Sequence, residues 1–351
     1  MTSLSRTRHF PAECDFCQAE ELIVARLNGD NFLDIAVTTT TSGQGRIYVY
    51  MRSPPIGTGE DLVFAPPVTI ALPRAVRGLA VADFDGDGYN DLAAASDDPN
   101  GPELYALRND QTGNFPTTSQ FMSTWTLPGY PGDVVSLKFD TGTKPDLAVA
   151  NPLHVPDSIS VLRNISTPES RPEFEIRTFL RNVPQPLWEF NRLAAGKLSS
   201  DNLDDLAFNE VAHRGGVNSF LNDGAGGLLH RRDEQRNDRY YVLAIGESSL
   251  GGIDIGNLNG GTRRDVAVTE SKSGEGIDLV DVLVGNGDGT FQRDASGNPI
   301  VYRFSTSPAP GFGQGPDDVI IVDLNDDGVP DLVTSNRTKD VTVLINSTPQ
   351  P

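Results

Sequence analysis

Two nine-residue stretches hold the residues with the clearest chemistry. Asp83-Phe84-Asp85-Gly86-Asp87-Gly88-Tyr89-Asn90-Asp91 sets carboxylates at positions 1, 3, 5 and 9, with the Tyr89 carbonyl available at position 7. Near the other end, the frame recurs as Asp323, Asn325, Asp327, the Val329 carbonyl and Asp331. Calcium is a hard cation that takes six to eight oxygens, and a tight turn can present them from alternate positions. Gly88 and Gly328, at position 6, supply that turn. Carboxylates packed this densely repel one another unless they are neutralised. An acidic β-turn without an ion is the alternative, because Asp, Asn and Gly favour turns anyway. The spacing predicts about two strong calcium sites. These are not EF-hands: position 12 is Ala94 or Thr334 instead of a bidentate Glu, and both flanks read as strand.

Other candidate chemistry is thinner. Cys14 and Cys17 form a C-x-x-C without the strand-to-helix context of a redox motif or a second ligand pair for zinc, which leaves a short disulfide or plain thiols. The histidines, His9, His154, His213 and His230, are scattered, and no G-x-S-x-G, P-loop or H-E-x-x-H occurs. No catalytic constellation can be assembled, so a non-enzymatic role is expected. The catalytic alternative is a polysaccharide lyase using His154 or His213-Arg214.

The elements that must position the acidic loops are repeats. Besides the two intact copies, four worn ones close on Asp34, Asp146, Asp205 and Asp265. The six closing aspartates are spaced by 57, 55, 59, 60 and 66 residues. In each unit one apolar strand enters the loop and a second leaves it, as at Asp91 to Ala95. A third strand ends on Asn in several units, at Asn109, Asn164, Asn222 and Asn346, and a weaker fourth follows, as at Ile300 to Phe304. Four short strands in about 60 residues are a propeller blade. The last unit stops after its third strand, and Ser5 to Phe10 is spare, so that segment is expected to close the ring as the missing outer strand. The whole chain, residues 1–351, is thereby accounted for as one all-β domain of six blades.

In the worn loops the first ligand position is Arg26, Lys138, Lys197 or Asn257. A cation there either replaces the ion, pairing with Asp30 and Asp34 or with Asp201 and Asp205, or points to solvent. Neither case leaves a calcium site, and the fifth loop, with Asn257, Asn259 and Asp265 but Gly261 at the third ligand position, is at best a weak one.

These motifs resemble the FG-GAP (VCBS-type) repeat family, the unit of integrin-α-like propellers, over essentially the whole chain. Integrin-α propellers have seven blades, which makes seven the alternative to the six units counted. The resemblance implies a binding module, with calcium loops on one face and partners docking on the other. Arg77, Tyr130, Trp188 and Phe312 precede the first strand of four units and are the expected ligand-binding residues, suited to a glycan or a protein. Trp188 could equally plug the central channel.

Charge and hydropathy set the remaining bounds. A net charge of −20 leaves no basic footprint for nucleic acid. No apolar run is long enough to span a membrane, and Met1 to Cys14 lacks the apolar core of a signal peptide. The expected location, given the family resembled, is extracellular or at a cell surface.

Overall fold

The computed structural model describes residues 18–41, 44–53, 63–96, 98, 101, 103–127, 130–151, 158–180, 190–210, 216–230, 241–242, 249–272, 277–307, 315–324, 327–337 and 340–347. The fold is an all-β propeller of six antiparallel blades. Blade 1 comprises Gln18–Ala25, Asp34–Thr41, Gln44–Tyr50 and Val68–Leu72, and blade 2 Leu79–Ala82, Asp91–Ser96, Glu103–Leu107 and Met122–Thr126. Blade 3 comprises Asp133–Leu137, Asp146–Asn151, Ser158–Asn164 and Phe174–Leu180. Blade 4 follows with Phe190–Gly196, Asp205–Glu210 and Gly216–Asn222, and blade 5 with Ser249–Gly256, Asp265–Lys272, Ile277–Leu283 and Val301–Ser305. The described strands of blade 6 are Pro316–Val322, Asp331–Asn336 and Asp340–Leu344. Among the described residues no helix is long and apolar enough to cross a membrane.

Two compact units divide the chain. One contains blades 1 to 3; the other contains blades 4 to 6 together with residues 137–141.

Strand positions within a blade differ in burial, and the sequence follows. The second strands Asp91–Ser96, Asp146–Asn151 and Asp331–Asn336 are buried at every residue. Each is flanked by sheet neighbours on both edges and covered on both faces, which is why they read as unbroken runs such as Leu92-Ala93-Ala94-Ala95. The outer strand Met122–Thr126 alternates between buried and exposed positions instead. The core is therefore a series of layers between consecutive blades. Leu92, Ala94, Tyr105 and Leu107 pack against Ile23, Ile47 and Ile70 of blade 1. From the other face, Ala93, Ala95, Leu104 and Ala106 meet Val134, Leu147, Val149 and Phe174 of blade 3. Corresponding layers join blade 4 to 5 and blade 5 to 6.

The first strands approach most closely. A Cβ on Gly252 would lie 2.6 Å from the Val319 nitrogen, so the blade 5 strand can run against blade 6 only without a side chain there. Its register against the second strand slips between Leu250 and Ile253, a bulge repeated in blades 1, 4 and 6.

Blade 4 departs from the four-strand pattern, and two expectations fall outside the described residues. The outer position of blade 4 is shared by two short strands: Leu228–His230 pairs near Asn222, and Tyr241–Val242 pairs at Gly216 and Val217. The expected closing strand, Ser5 to Phe10, lies outside the described residues, as do Cys14 and Cys17.

Candidate metal centre

All six loops are built on their closing aspartate, which is buried in every blade. One oxygen of Asp91 accepts from the Phe84 N–H at 3.1 Å and the other from the Asn109 N–H at 2.8 Å. The same two-pronged bond recurs at Asp34 (Leu27 and Arg52), Asp205 (Ser199 and Asn222), Asp265 (Leu258 and Gly285) and Asp331 (Leu324 and Asn346). The closing carboxylate thus ties the start of its loop to the end of the third strand, whether or not the loop is acidic enough for a metal. Each carboxylate oxygen retains a second lone pair, so a metal ligand role is compatible with this one.

The asparagine that ends the third strand continues the chain of bonds into the preceding blade. Asn109 Nδ2 donates to the Leu27 carbonyl at 2.9 Å and to the Asn90 carbonyl at 2.8 Å. Asn164 does the same to Phe84 and Pro145, Asn222 to Phe139 and Asp204, and Asn346 to Leu258 and Pro330. Blade 5 carries Gly285 at this position, and the Leu198 carbonyl is met there by the Gly289 N–H at 3.1 Å. The repeated Asn was visible in the sequence as a strand terminator; its role as a blade-to-blade staple was not.

The two intact loops have the same turn. In blade 2, Asp83 Oδ1 accepts from the Asp87 N–H at 3.1 Å, Asp83 Oδ2 from the Gly88 N–H at 2.9 Å, and Asp87 Oδ1 from the Tyr89 N–H at 2.9 Å. In blade 6 the corresponding bonds join Asp323 to Asp327 (3.1 Å), Asp323 to Gly328 (2.7 Å) and Asp327 to Val329 (2.8 Å). Gly88 and Gly328 have φ of +92° and +83°, a conformation that only glycine adopts without strain. Asn325 lies outside the described residues.

The residues of blade 2 fit a hard cation. Oxygens of Asp83, Asp85 and Asp91 lie within 4.8 Å of one another. Burial pushes the Asp91 carboxyl up to about 7, and the neighbouring Asp85 and Asp87 charges push the same way. Asp331 is raised likewise by burial, then by Asp327 and Asp323. In both loops burial disfavours the charge of the closing carboxylate, a condition that a divalent cation relieves.

Blade 2 contains a second source of positive charge. Arg108, the last residue before the Asn109 staple, reaches back over the loop. Its Nε lies 2.6 Å from Asp85 Oδ2 and its Nη2 3.1 Å from Asp87 Oδ2, with side-chain exposures of 16% for Arg108 and 0% for Asp85. Gln111 Nε2 adds a bond of 3.2 Å to Asp87. The equivalent residue of blade 6 is Ile345.

In the worn loops the choice left open between cation replacement and solvent is decided for solvent. Arg26, Lys138 and Lys197 are exposed. Among the described residues none of them pairs with Asp30, Asp34, Asp201 or Asp205; Asp30 is bonded by Asn28 instead. Of the expected ligand residues, Arg77 is exposed and Tyr130 half-buried, while Trp188 and Phe312 lie outside the described residues.

Antiparallel four-stranded blades whose corners are Asp/Asn/Gly turns define a β-propeller of acidic-loop repeats. Residues 26–94 match the FG-GAP-like repeat family, and the frame of that match recurs in the other blades of the propeller. No curated protein matches the chain. Among solved structures it is similar to the Dos1 propeller, at 11% identity and a TM-score of 0.51, over 95% of this chain and 78% of that one. It is also similar to the V. cholerae biofilm matrix protein Bap1, at 11% identity and a TM-score of 0.35, over 94% of this chain and 69% of that one. At 11% identity the likeness to the Dos1 propeller is one of fold alone.

Proposed function

We propose that this protein is a calcium-stabilised extracellular binding module, adhesin- or lectin-like, that recognises a glycan or a protein and performs no catalysis. The observations that support this most directly are the turn shared by the two acidic loops and the approach of Asp83, Asp85 and Asp91 oxygens to within 4.8 Å of one another in blade 2. Asp83, Asp85, Asp87, Asp91 and the Tyr89 carbonyl would hold one ion, and Asp323, Asn325, Asp327, Asp331 and the Val329 carbonyl the other. The bound ion supplies charge that ties the first and second strands of its blade together at the corner. In this reading the partner face is the one marked by Arg77, Tyr130, Trp188 and Phe312.

Calorimetric titration of the chelated protein with calcium should count about two strong sites, and excess calcium should raise the melting temperature by mass action. A count of zero with an unmoved melting temperature overturns the metal assignment. A glycan array and a pull-down, each run with calcium and with chelator, test the binding role separately; no specific ligand in either overturns it.

A further inference from the structure

We propose that the groove between the outer strand of blade 2 (Met122–Thr126) and the 165–174 turn of blade 3 is a binding site for a neutral oligosaccharide. This deepens the binding-module reading, on which it rests, and places the ligand on the rim of two blades instead of at the Arg77/Tyr130 face. Both sides of the groove belong to the unit of blades 1 to 3. Its volume is about 590 Å³, within the range of small-molecule sites.

Three features converge on an uncharged, hydroxyl-rich ligand with apolar faces. The first is a pinned aromatic. Trp125 stands edge-on to Phe174 at 5.4 Å and 74°, and Phe174 stands edge-on to the buried Phe84 at 5.4 Å and 78°, so the indole is held from behind. Ile165, 52% exposed, extends the apolar surface on the opposite wall. Such faces suit the C–H faces of sugar rings, while the polar walls suit their hydroxyls.

The second feature is charge balance. Arg171 and Glu173 are the charged residues lining the groove, and they face each other at 3.7 Å. Arg171 Nη1 also donates to the Ser119 carbonyl at 3.2 Å, and the turn is braced by Ile165 N–H to the Glu173 carbonyl (2.9 Å) and Glu173 N–H to Ser166 Oγ (2.8 Å). With each charge already countered by its neighbour the groove offers a charged ligand no net counter-charge, and an anion would meet a chain of net charge −20 besides. A neutral polyol uses the pair intact, as adjacent donor and acceptor.

The third feature is an unused hydroxyl. Ser123 lines the groove at 7% exposure, and its Oγ has no hydrogen-bond partner. Buried polar groups left unsatisfied are uncommon and call for an explanation; a ligand hydroxyl provides one here. Thr117, Ser119 and Thr124 place three more hydroxyls along the same walls.

The test titrates the calcium-loaded full chain with neutral trisaccharides (cellotriose, maltotriose, chitotriose and mannotriose), followed by calorimetry and tryptophan fluorescence. At least one should bind with a change in emission. Trp125→Ala should then weaken it tenfold or more, and Arg171→Gln and Ile165→Ser several-fold each. Trp125 packs on Phe174, so the last two, at exposed positions, keep the test valid if Trp125→Ala fails to fold. If a trisaccharide binds and all three variants bind it as well as the parent does, the groove is not the site, although the binding-module reading survives. If no neutral trisaccharide binds at millimolar concentration, the inference is overturned whatever the glycan array or pull-down returns. Selection from a peptide display library of extended peptides whose capture those variants abolish would also overturn it, by making the groove a strand-docking edge.

Discussion

The acidic loops of blades 2 and 6 share a turn, a glycine and a closing aspartate, but differ in what lies above them. In blade 2 the third strand delivers Arg108 onto Asp85 and Asp87; in blade 6 it delivers Ile345. One loop therefore carries an internal counter-ion and the other does not. The lesson is that a ligand set written in sequence does not fix how strongly a loop needs its metal. A buried carboxylate can be neutralised by a metal, by a guanidinium or by a proton. In blade 5 burial pushes the carboxyl of fully buried Asp281 up to about 7, while Arg303, 3.3 Å away, opposes the shift.

The largest expected effect comes from what the loops have in common. Removing a closing carboxylate leaves two backbone N–H groups without an acceptor, at least one of them buried, and each loss of this kind costs about 1–3 kcal/mol. Asp331→Ala, in an intact loop, and Asp34→Ala, in a worn one, should lose similar stability in urea melts run in chelator. An Asp331→Ala cost that appears only when calcium is present would show the carboxylate to be a metal ligand and not a staple.

Next comes the difference itself. Arg108→Leu removes the cation from a buried pair, so in chelator it should cost about 3 kcal/mol. In calcium the sign of the effect reverses: the ion no longer competes with a guanidinium, and affinity at blade 2 should rise about tenfold, or about 1.4 kcal/mol. Ile345→Arg should weaken blade 6 in return. Calorimetric isotherms in which Arg108→Leu binds calcium no more tightly than the parent would break the comparison.

Asp281 in blade 5 gives a smaller, pH-dependent effect. Burial pushes the Asp281 carboxyl up to about 7; Glu270 beside it pushes the same way, and Arg303 opposes. The folded chain therefore binds more protons there than the unfolded chain between about pH 4 and pH 7, so stability falls as pH rises through that window and levels off above it. Asp281→Asn should flatten this slope and add roughly 1 kcal/mol at pH 8. A parent whose melting temperature does not fall between pH 5 and pH 8 relative to Asp281→Asn would refute it.

The smallest effect is expected where cations stand at the first ligand position of worn loops. Lys138→Met and Arg26→Met should change stability by no more than about 0.5 kcal/mol, because these side chains are exposed and form no ion pair among the described residues. A loss above 1 kcal/mol in either would restore the replacement of calcium by lysine or arginine.

Residue types and spacing alone determined the repeat, the blade as its unit, the second strand after each closing aspartate, and the two loops able to offer a metal its oxygens. All of these are local: a turn, its glycine and an apolar run lie within a dozen residues and obey short-range geometry. Tertiary structure decided what those loops face. Arg108 meets Asp85 across 23 residues, and Asn346 meets the Leu258 carbonyl across 88. Trp125 finds Phe174 only because two blades pack at one register. Each of these contacts depends on how neighbouring sheets align, and a strand's own alternation specifies which face is buried but not which side chain of the next blade will stand opposite it.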